Sequence, residues 1–546
     1  MTEGVAPDGG TRAAGQVAGP PGRLWRVVVA AGRPGVAVTS LVLISAALGL
    51  WLAWRPLDYL IGHLLVDDAF YYFQTARNIV NGQGVSVDGE VWANGFHPLW
   101  MVLLLPVYAL FGDDQAPIHV ALSVSTVVTA SSGALLYLTA RRLGLSPWVA
   151  VAVAAAYLFH PVVIALSLNG LETGLNVSLG VALVYVWVVA WQDRSPGRLA
   201  LVSGVSGLLI LSRTDYAIFA GPVLLALFAK APGVRPALAL AIPLVLMTLP
   251  WWLWNVVVFG SPVQASADAI PYVAHEVFRQ PGVGTTEVVG EVFTQLRRGA
   301  FESVPYFYFA PSQWVPKLGA GLSVAAVPAA IAVAWMRSSE SRRRLLLLGP
   351  PAAGLLALFL VHAGVRWYLR EWYFAALLPL LALLFGIVLE EALASTTRRF
   401  GVSALASVVL LGTVPMAVSI YGSGRYPAQY DMLEAARWIE AETPRDTRVG
   451  AFNAGIVAYF DDRVTVNLDG VMNPDAYQAL RDRRLLDYMR ERQLAVLADF
   501  PFYPLFFYRS FLGAEPPARE LASFGRHADF QGPFTVYALD GPARAR

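Results

Sequence analysis

Two adjacent carboxylates, Asp67 and Asp68, follow the first apolar stretch of the chain and begin a segment rich in aromatic residues. Carboxylates beside a membrane-spanning segment avoid lipid, so we expect the pair to face water or a polar cavity. A carboxylate in such a place can take a proton from an alcohol as a general base. Asp is also favoured at helix starts, so the alternative is that the pair caps the helix that follows.

Cationic side chains elsewhere in the chain offer a site for an anion such as a departing phosphate. The candidates are His97, Arg213, Arg366 and Arg370, with Glu172, Asp215 and Tyr373 as further polar residues of the same site. Simpler interpretations also exist. Glu172 can merely begin a span, His97 can be a turn residue before Pro98, and Arg366 and Arg370 can be residues that snorkel at the membrane interface.

The composition is that of a membrane protein. Of 546 residues, 56% are hydrophobic and only 14% are charged, against roughly 25% charged in soluble domains. The net charge of +2 gives no indication of a nucleic-acid partner. The absence of cysteine excludes disulfides and thiolate metal sites.

Repeated apolar blocks predict a polytopic α-helical protein embedded in the lipid bilayer. The blocks are residues 37–54, 98–112, 118–138, 147–165, 174–191, 198–212, 215–230, 236–258, 318–336, 345–362, 372–392 and 402–421. Six clusters of basic residues in the short loops are placed in the cytoplasm by the positive-inside rule. This orientation requires that block 98–112, which is short and follows His97-Pro98, does not cross, which leaves about 11 transmembrane helices.

The same topology puts the polar candidates on the outer side. The first outer loop then carries Asp67, Asp68 and His97, and its helical spacings predict a short helix at the membrane surface. The tight corner at Arg213 and Asp215 joins two short spans, so we expect these two residues to be recessed, lining a cavity and pairing or binding a ligand.

We predict three regions: a disordered cytoplasmic tail (1–36), a transmembrane domain (37–421) and a small extracytoplasmic α/β domain (422–546). In the last region, residues 431–442 and 475–492 are predicted helices. Residues 448–452, 464–467, 494–499 and 534–539 are predicted strands. The segment Gly450–Gly455 follows a strand, but its spacing is not that of a nucleotide-binding glycine loop. The acidic residues of the region 422–546, including Asp461 and Asp469, are interpreted as ordinary loop residues.

Three motifs together resemble a known family. Asp67-Asp68-Ala69-Phe70-Tyr71-Tyr72, Ala76-Arg77-Asn78-Ile79 and Asn94-Gly95-Phe96-His97-Pro98-Leu99-Trp100 are similar to the first outer loop of GT-C fold membrane glycosyltransferases. Shorter blocks around Glu172, Arg213 and Arg370 resemble the same superfamily, and the resemblance covers roughly residues 37–421. Segments 450–455 and 466–470 resemble the tail domain of bacterial members of the superfamily.

The resemblance implies a GT-C like enzyme of the bacterial plasma (inner) membrane that uses a polyprenyl-phosphate sugar donor and transfers with inversion outside the cytoplasm. Asp67 would be the base with Asp68 supporting it, His97 would lie near the lipid phosphate, and Glu172 would be a second acid. The resemblance does not imply a particular cofactor, because some members of the superfamily use a divalent metal beside these acids and some do not; Asp67 and Asp68 would hold it here. The acceptor can be a glycan, a lipid or a protein, and the arabinofuranosyl, mannosyl and aminoarabinose branches all stay open.

Two other functional classes compete with a transferase. A transporter or flippase of lipid-linked saccharides is expected to carry mid-span charges and related halves, and neither is evident. A non-catalytic membrane scaffold would leave the aspartate pair without a function.

Overall fold

The computed structural model describes residues 33–112, 115–278, 290, 294, 316–364, 370–394, 413–512 and 518–539. Three predicted features lie wholly or partly outside these residues: the tail as far as residue 32, Arg366, and residues 402–412 of the predicted span 402–421. Most described residues are helical.

The first part of the chain is a series of apolar helices. They are α1 (Pro34–Ala53), α2 (Leu57–His63), α3 (Asp67–Val80), α4 (Pro98–Phe111), α5 (Ala116–Arg142), α6 (Pro147–Leu158), α7 (Pro161–Ser167), α8 (Thr173–Gln192), α9 (Pro196–Ser212), α10 (Ala217–Lys230), α11 (Val234–Phe259), α12 (Ala265–Phe278), α13 (Pro316–Arg337), α14 (Ser339–Gly364) and α15 (Leu377–Ala394). Short 3₁₀ turns at Thr214–Tyr216 and Glu371–Phe374 precede α10 and α15.

Six of the described helices are long and apolar enough to cross a membrane, namely α1, α5, α8, α11, α14 and α15. Helices α6 and α7 form a pair bent by 56°, and the pair counts as a seventh span if it is taken as one broken helix. The prediction of a polytopic helical protein is confirmed, whereas the number of about 11 spans stays a prediction. Helix α4, which we expected to be re-entrant, has 14 residues with Pro106 inside it.

Helix α3, which we expected at the membrane surface, is enclosed by protein. Phe70 and Phe73 are fully buried, and Tyr71 and Tyr72 on the other side of the helix are buried as well. The helix is enclosed because it lies between α4 of the helical part and a small helix of the C-terminal part, α17 (Gly455–Phe460). Its mixed aromatic surface therefore packs against protein on two sides.

The C-terminal part contains a five-stranded mixed sheet in the order β2-β1-β3-β5-β4. Its elements are α16 (Ala428–Glu442), β1 (Arg448–Ala451), α17, β2 (Val464–Asn467), α18 (Pro474–Arg481), α19 (Leu485–Glu491), β3 (Val496–Asp499), α20 (Arg509–Leu512), β4 (Ala518–Asp529) and β5 (Gly532–Leu539). Strands β1, β2 and β3 are parallel, and β5 is antiparallel to both β3 and β4.

The predicted strands and the helix near 431–442 are present, whereas the single helix expected over 475–492 is two helices. The break falls at Arg483, whose φ of 54° is left-handed and incompatible with a continuous helix. The extracytoplasmic location of this α/β part and the boundary at residue 422 stay predictions. One continuous core joins this part to the helices, because Ile456 and Val457 belong to the same buried cluster as Phe70 and Phe73.

Candidate active site

A cavity of about 290 Å³ lies between the helical part and the α/β part. It brings together side chains from distant parts of the chain: Asp68, Tyr72, His97, Glu172, Arg213, Asp215, Gln264, His362, Tyr373 and Met472. A volume of this order suits a small ligand or one sugar unit. Of the residues predicted from the sequence, the structure brings six to this cavity and leaves Asp67 and Arg370 outside its lining; the six are Asp68, His97, Glu172, Arg213, Asp215 and Tyr373.

Of the aspartate pair, Asp68 is the member that faces this cavity. Its side chain is exposed to the cavity although protein surrounds the cavity. Burial raises the pKa of Asp68, the positive charge of Arg370 lowers it, and the charge of Glu172 raises it again. A carboxyl group with a raised pKa is better matched to accept a proton near neutral pH than an ordinary aspartate.

Asp67 has a different environment from its neighbour, and it does not line the cavity. Its Oδ1 accepts the backbone N–H of Ile456 at 2.7 Å, and its Oδ2 accepts the N–H of Gly455 at 3.4 Å. Burial raises its pKa to about 8 even though these two hydrogen bonds favour the ionised form. The structure therefore places Asp67 in contact with the α/β part at the beginning of α17.

The approach of Asp67 to α17 requires a glycine. A Cβ atom added to Gly455 would lie 2.2 Å from the backbone oxygen of Asp67 and 2.8 Å from its Oδ1. Any larger residue would push the two elements apart, since real Cβ atoms do not come this close. The weak glycine signal at 450–455 thus marks a close approach of two backbones and not a nucleotide loop.

Glu172, Arg213 and Asp215 form a buried ion network at the back of the cavity. The Nη1 of Arg213 donates to Glu172 at 2.7 Å, and its Nη2 and Nε donate to the two oxygens of Asp215 at 2.9 and 3.2 Å. The Nε2 of His362 lies 3.1 Å from the same Asp215. The recessed Arg213–Asp215 pair expected from the sequence is therefore present in the structure.

The charges in this network determine the protonation of its members. Burial alone would raise the pKa of Asp215, but Arg213 and His362 hold the pKa below its usual value. The guanidinium of Arg213 also lies 4.9 Å from the ring centre of Tyr373. Because three of its N–H groups and one face are already engaged, Arg213 organises the cavity wall and has few donors left for a ligand.

His97 lies between Tyr72 and the ion network. Its backbone N–H donates to the hydroxyl of Tyr72 at 2.9 Å, and that hydroxyl donates to Glu172 at 2.8 Å. The Nδ1 of His97 lies 3.4 Å from the N–H of Thr214, which assigns the ring hydrogen to Nε2. Burial lowers the pKa of His97 despite the nearby Glu172, so the neutral ring offers an N–H donor.

Arg370 contributes a second cationic side chain near Asp68. Burial opposes its charge, but Asp68 holds the pKa of Arg370 above its usual value. Its guanidinium is exposed and lies 5.8 Å from the ring centre of Trp372. The ring of Tyr373, another predicted residue, stacks on His362 with 5.0 Å between ring centroids. Arg366 lies outside the described residues.

The α/β part contributes residues that sequence reasoning did not assign to the site. Val471 and Met472 line the cavity, and burial raises the pKa of the nearby Asp469 to about 7, with the charge of Asp68 adding to the effect. Tyr71 connects the two parts, because its hydroxyl accepts from the N–H of Ala454 and from the side chain of Asn467, both at 3.0 Å. Asp469 had looked like an ordinary loop acid, and the resemblance of segment 466–470 to a tail domain was the only signal.

Two further residues were missed in the helical part. Gln264 donates to the backbone oxygen of Phe96 and accepts from the hydroxyl of Thr214 at 2.7 Å. Tyr72 bridges His97 and Glu172, as described above. Gln264 had no motif to reveal it, whereas Tyr72 belongs to the aromatic run that follows the aspartate pair.

The aspartate pair does not fit a metal site. Among the described residues, no three His, Asp or Glu side chains are grouped so that they could hold a metal ion. The oxygens of Asp67 accept backbone N–H groups, and these donors occupy the positions where a metal ion would bind. We therefore derive no chemical step through a metal.

Comparison with protein families supports the resemblance read from the sequence. A model of the dolichyl-phosphate-mannose-protein mannosyltransferase family matches residues 97–254. This range includes His97, Glu172, Arg213 and Asp215 but neither aspartate of the pair. Residues 419–537 match a family described as a domain of unknown function (DUF8728). No curated protein matches the chain.

Solved structures of AglB and ArnT are among those with a similar fold. The archaeal oligosaccharyltransferase AglB from Archaeoglobus fulgidus, in complex with an inhibitory peptide and a dolichol-phosphate, is 14% identical, with a TM-score of 0.53 over 93% of this chain and 75% of that chain. ArnT from Cupriavidus metallidurans in the apo state is 13% identical, with a TM-score of 0.52 over 92% and 99% of the two chains. ArnT bound to undecaprenyl phosphate is 14% identical, with a TM-score of 0.50 over the same shares.

These likenesses establish the fold, and they confirm the resemblance predicted from the sequence. The chain has the GT-C architecture, with a mostly helical part and a small C-terminal sheet. The match to a mannosyltransferase family supports a glycosyltransferase as the class of enzyme.

Proposed function

From this fold and this cavity, we propose that the protein transfers a sugar from a polyprenyl-phosphate donor to a hydroxyl group of a glycan, lipid or protein. The observation that carries the proposal is the cavity itself. It is lined by Asp68 and His97, and the charge of Arg370, which lies outside the lining, acts on Asp68, in a chain with the GT-C fold. That the solved structures of AglB and ArnT contain a dolichol-phosphate and an undecaprenyl phosphate supports a donor of this class.

Asp68 is the proposed general base. Its carboxylate takes the proton of the acceptor hydroxyl while the hydroxyl oxygen forms a bond to the anomeric carbon of the donor sugar. The bond between that carbon and the phosphate oxygen breaks, and the electron pair leaves with the lipid phosphate. A single displacement of this kind inverts the anomeric configuration, and the products are the glycosylated acceptor and a polyprenyl phosphate.

His97 and Arg370 are the proposed ligands of the departing phosphate. The Nε2–H of His97 donates a hydrogen bond, and an approaching phosphate also favours protonation of the ring. The guanidinium of Arg370 matches a phosphate in shape and charge. Arg213 has the different role of positioning Glu172 and Asp215, because most of its donors are already satisfied.

Asp67 is proposed as the residue that positions Asp68. By accepting the N–H groups of Gly455 and Ile456 it fixes the first turn of α3, and Asp68 is the next residue of that turn. This assignment reverses the roles that the resemblance implied for the two acids. The α/β part, which supplies Val471 and Met472 to the cavity, is proposed to border the acceptor side.

We further propose that the enzyme lies in the bacterial plasma membrane, with this cavity and the α/β part outside the cytoplasm. The basic residues of the short loops, which the positive-inside rule assigns to the cytoplasm, support this orientation. The donor would then enter from the outer leaflet and the acceptor from the extracytoplasmic space.

The proposal is tested with the full-length protein reconstituted in lipid vesicles. A panel of radiolabelled polyprenyl-phosphate sugars, including mannose, arabinofuranose and aminoarabinose donors, is incubated with a cell-envelope extract as acceptor. We expect label from one donor class to move into the acceptor fraction and an equal amount of polyprenyl phosphate to be released. Vesicles without protein provide the background rate.

The same assay separates the other functional classes. A flippase would move the labelled lipid between leaflets with its sugar–phosphate bond intact, which an impermeant chemical reagent detects. A scaffold would neither cleave nor move the donor. Either result in place of transfer, for every donor of the panel, would refute the proposed activity.

A further inference from the structure

A second cavity, of about 440 Å³, lies at the end of α1 and is separate from the active-site cavity. Its lining is mostly apolar and comes from α1, from the break between α6 and α7, and from the residues before the C-terminal part. The lining residues are Leu48, Trp51, Leu52, Arg55, Tyr59, Phe159, Pro161, Ile164, Ala417 and Tyr421. None of these residues belongs to the proposed catalytic machinery.

One cation, Arg55, lies in this apolar surrounding. Its guanidinium carbon is 5.3 Å from the ring centre of Trp51 and 4.9 Å from that of Tyr59. Its Nε is buried and has no hydrogen-bond partner among the described residues. Among the residues that the structure describes, no carboxylate forms an ion pair with Arg55. The nearby Asp58 pairs with Arg437 instead.

The aromatic frame around Arg55 is fixed by its own hydrogen bonds. The hydroxyl of Tyr59 donates to the backbone oxygen of Tyr421 at 3.1 Å. The hydroxyl of Tyr421 in turn donates to the backbone oxygen of Pro161 at 2.7 Å. The ring of Tyr59 also stacks on His63 with 4.0 Å between centroids. The two rings contact the guanidinium through their π-faces and accept no N–H of Arg55 in a hydrogen bond, so the N–H groups of Arg55 are left to bind a ligand.

The position of the cavity indicates the kind of ligand. Arg55 follows the end of α1, which is long and apolar enough to cross the membrane. The short helix α2, with seven residues, separates Arg55 from the active-site acids and cannot cross, so both cavities lie at the same membrane surface. A ligand in this cavity at the membrane surface needs an apolar chain that packs against the cavity walls and an anionic group that pairs with the guanidinium of Arg55.

We propose that this cavity binds an anionic glycerophospholipid of the surrounding bilayer. The phosphate accepts the free N–H groups of Arg55, and an acyl chain lies along Leu48, Ile164 and Phe159. An uncompensated, partly buried guanidinium is costly, and a phosphate removes that cost while the apolar walls exclude water. The bound lipid would connect α1 to the residues that lead into the α/β part.

The test uses the delipidated full-length protein in detergent and native mass spectrometry with added phosphatidylglycerol. We expect the wild-type protein to retain one phosphatidylglycerol. Arg55→Gln should bind this lipid at least roughly tenfold more weakly, which is the loss of affinity typical of a removed hydrogen bond from a charged group. Arg142→Gln is the matched control, because it removes the same charge from an exposed residue at the far end of α5. It should bind like the wild type.

A second variant keeps the test decisive if Arg55→Gln does not fold. Ala417→Trp fills the cleft and leaves Arg55 in place, and it should also lose the retained lipid. Equal retention of phosphatidylglycerol by wild type and both variants would overturn the proposal. So would displacement of that lipid by inorganic phosphate or by undecaprenyl phosphate at equal concentration, since the site would then select a free phosphate or a reaction product.

Discussion

Two adjacent aspartates of one sequence motif have opposite surroundings in the structure. Asp68 faces the cavity, whereas both oxygens of Asp67 accept backbone N–H groups of the α/β part. A general base must keep a free oxygen for the proton that it receives. At the scale of single residues this difference, and not the order of the acids in the motif, is the reason that we propose Asp68 as the base.

The charge of Arg370 is expected to set the acid limb of the reaction. Arg370 favours the ionised form of Asp68, so Arg370→Gln should raise the pKa of Asp68. The base is active when deprotonated, and the acid limb of kcat should therefore move to higher pH in the variant. Transfer rates measured from pH 5 to pH 9 at saturating donor test this.

Arg484→Gln provides the control for that pH profile, because Arg484 is a partly exposed residue of the α/β part that forms ion pairs at the surface. Its profile should overlay that of the wild type. An acid limb that stays in place in Arg370→Gln, or that moves to lower pH, would contradict the coupling between Arg370 and Asp68.

Most residues of the candidate active site could be predicted from the sequence, but the role of each residue could not. Asp68, His97, Glu172, Arg213 and Asp215 were recognisable because catalytic motifs fix residue types at short spacings. The engagement of Arg213 by two carboxylates depends on contacts across distant helices. The roles of Asp67 and Asp469 depend on how the α/β part packs on α3, which no local pattern encodes.

At the scale of elements, α3 is the connection between the two parts of the molecule. Its aromatic side chains pack on α4 on one side and on α17 on the other. The periodicity of the sequence predicted the helix, but its burial was missed, because a mixed polar and aromatic surface is also typical of a helix at a membrane interface. The second partner that covers this surface lies almost four hundred residues away in the sequence.

Gly455→Ala should separate these elements. The new Cβ would lie 2.2 Å from the backbone oxygen of Asp67, and overpacking of this kind costs about 1–3 kcal/mol. We expect a lower melting temperature and a lower transfer rate, because α3 also carries Asp68. Thermal unfolding and transfer assays on the same preparation measure both effects.

Gly204→Ala is the matched control for this variant, since a Cβ at Gly204 meets no atom within 4 Å. It lies inside helix α9, where alanine is favoured over glycine. If Gly455→Ala were as stable and as active as Gly204→Ala, the close contact between Asp67 and α17 would not be needed for the site.

At the scale of the whole molecule, buried acids of the α/β interface should make stability depend on pH. Burial raises the pKa of Asp67 to about 8, of Asp461 and Asp469 to about 7 and of Asp499 to about 6. Unfolded aspartates titrate near a pKa of about 3.9, so between these values the folded state binds more protons. Stability should therefore fall as the pH rises from about 5 to about 8.

Thermal unfolding in detergent between pH 5.5 and pH 8.5 measures this dependence. Groups with lowered pKa values, such as Asp215, release their protons below this range and do not oppose the trend. Asp67→Asn removes one titrating group and should flatten the curve. A melting temperature that is constant or rises over this range would contradict the raised pKa values.

The orientation of the molecule is open to a direct test, because the chain contains no cysteine. Single cysteines placed at the exposed positions Asp462 and Arg142 report on the α/β part and on the end of α5. In intact cells an impermeant maleimide should label Asp462→Cys, and Arg142→Cys should be labelled only after permeabilisation. The reverse pattern would place the cavity in the cytoplasm.

The central claim is that Asp68 accepts the proton of the acceptor, and the transfer rates of three asparagine variants test it most directly. Asp68→Asn should lose about 10²–10⁴-fold in kcat, and Asp67→Asn should keep measurable transfer. Asp462→Asn, in the exposed member of another aspartate pair, should equal the wild type. Wild-type transfer by Asp68→Asn together with complete loss in Asp67→Asn, with both proteins folded, would contradict the claim.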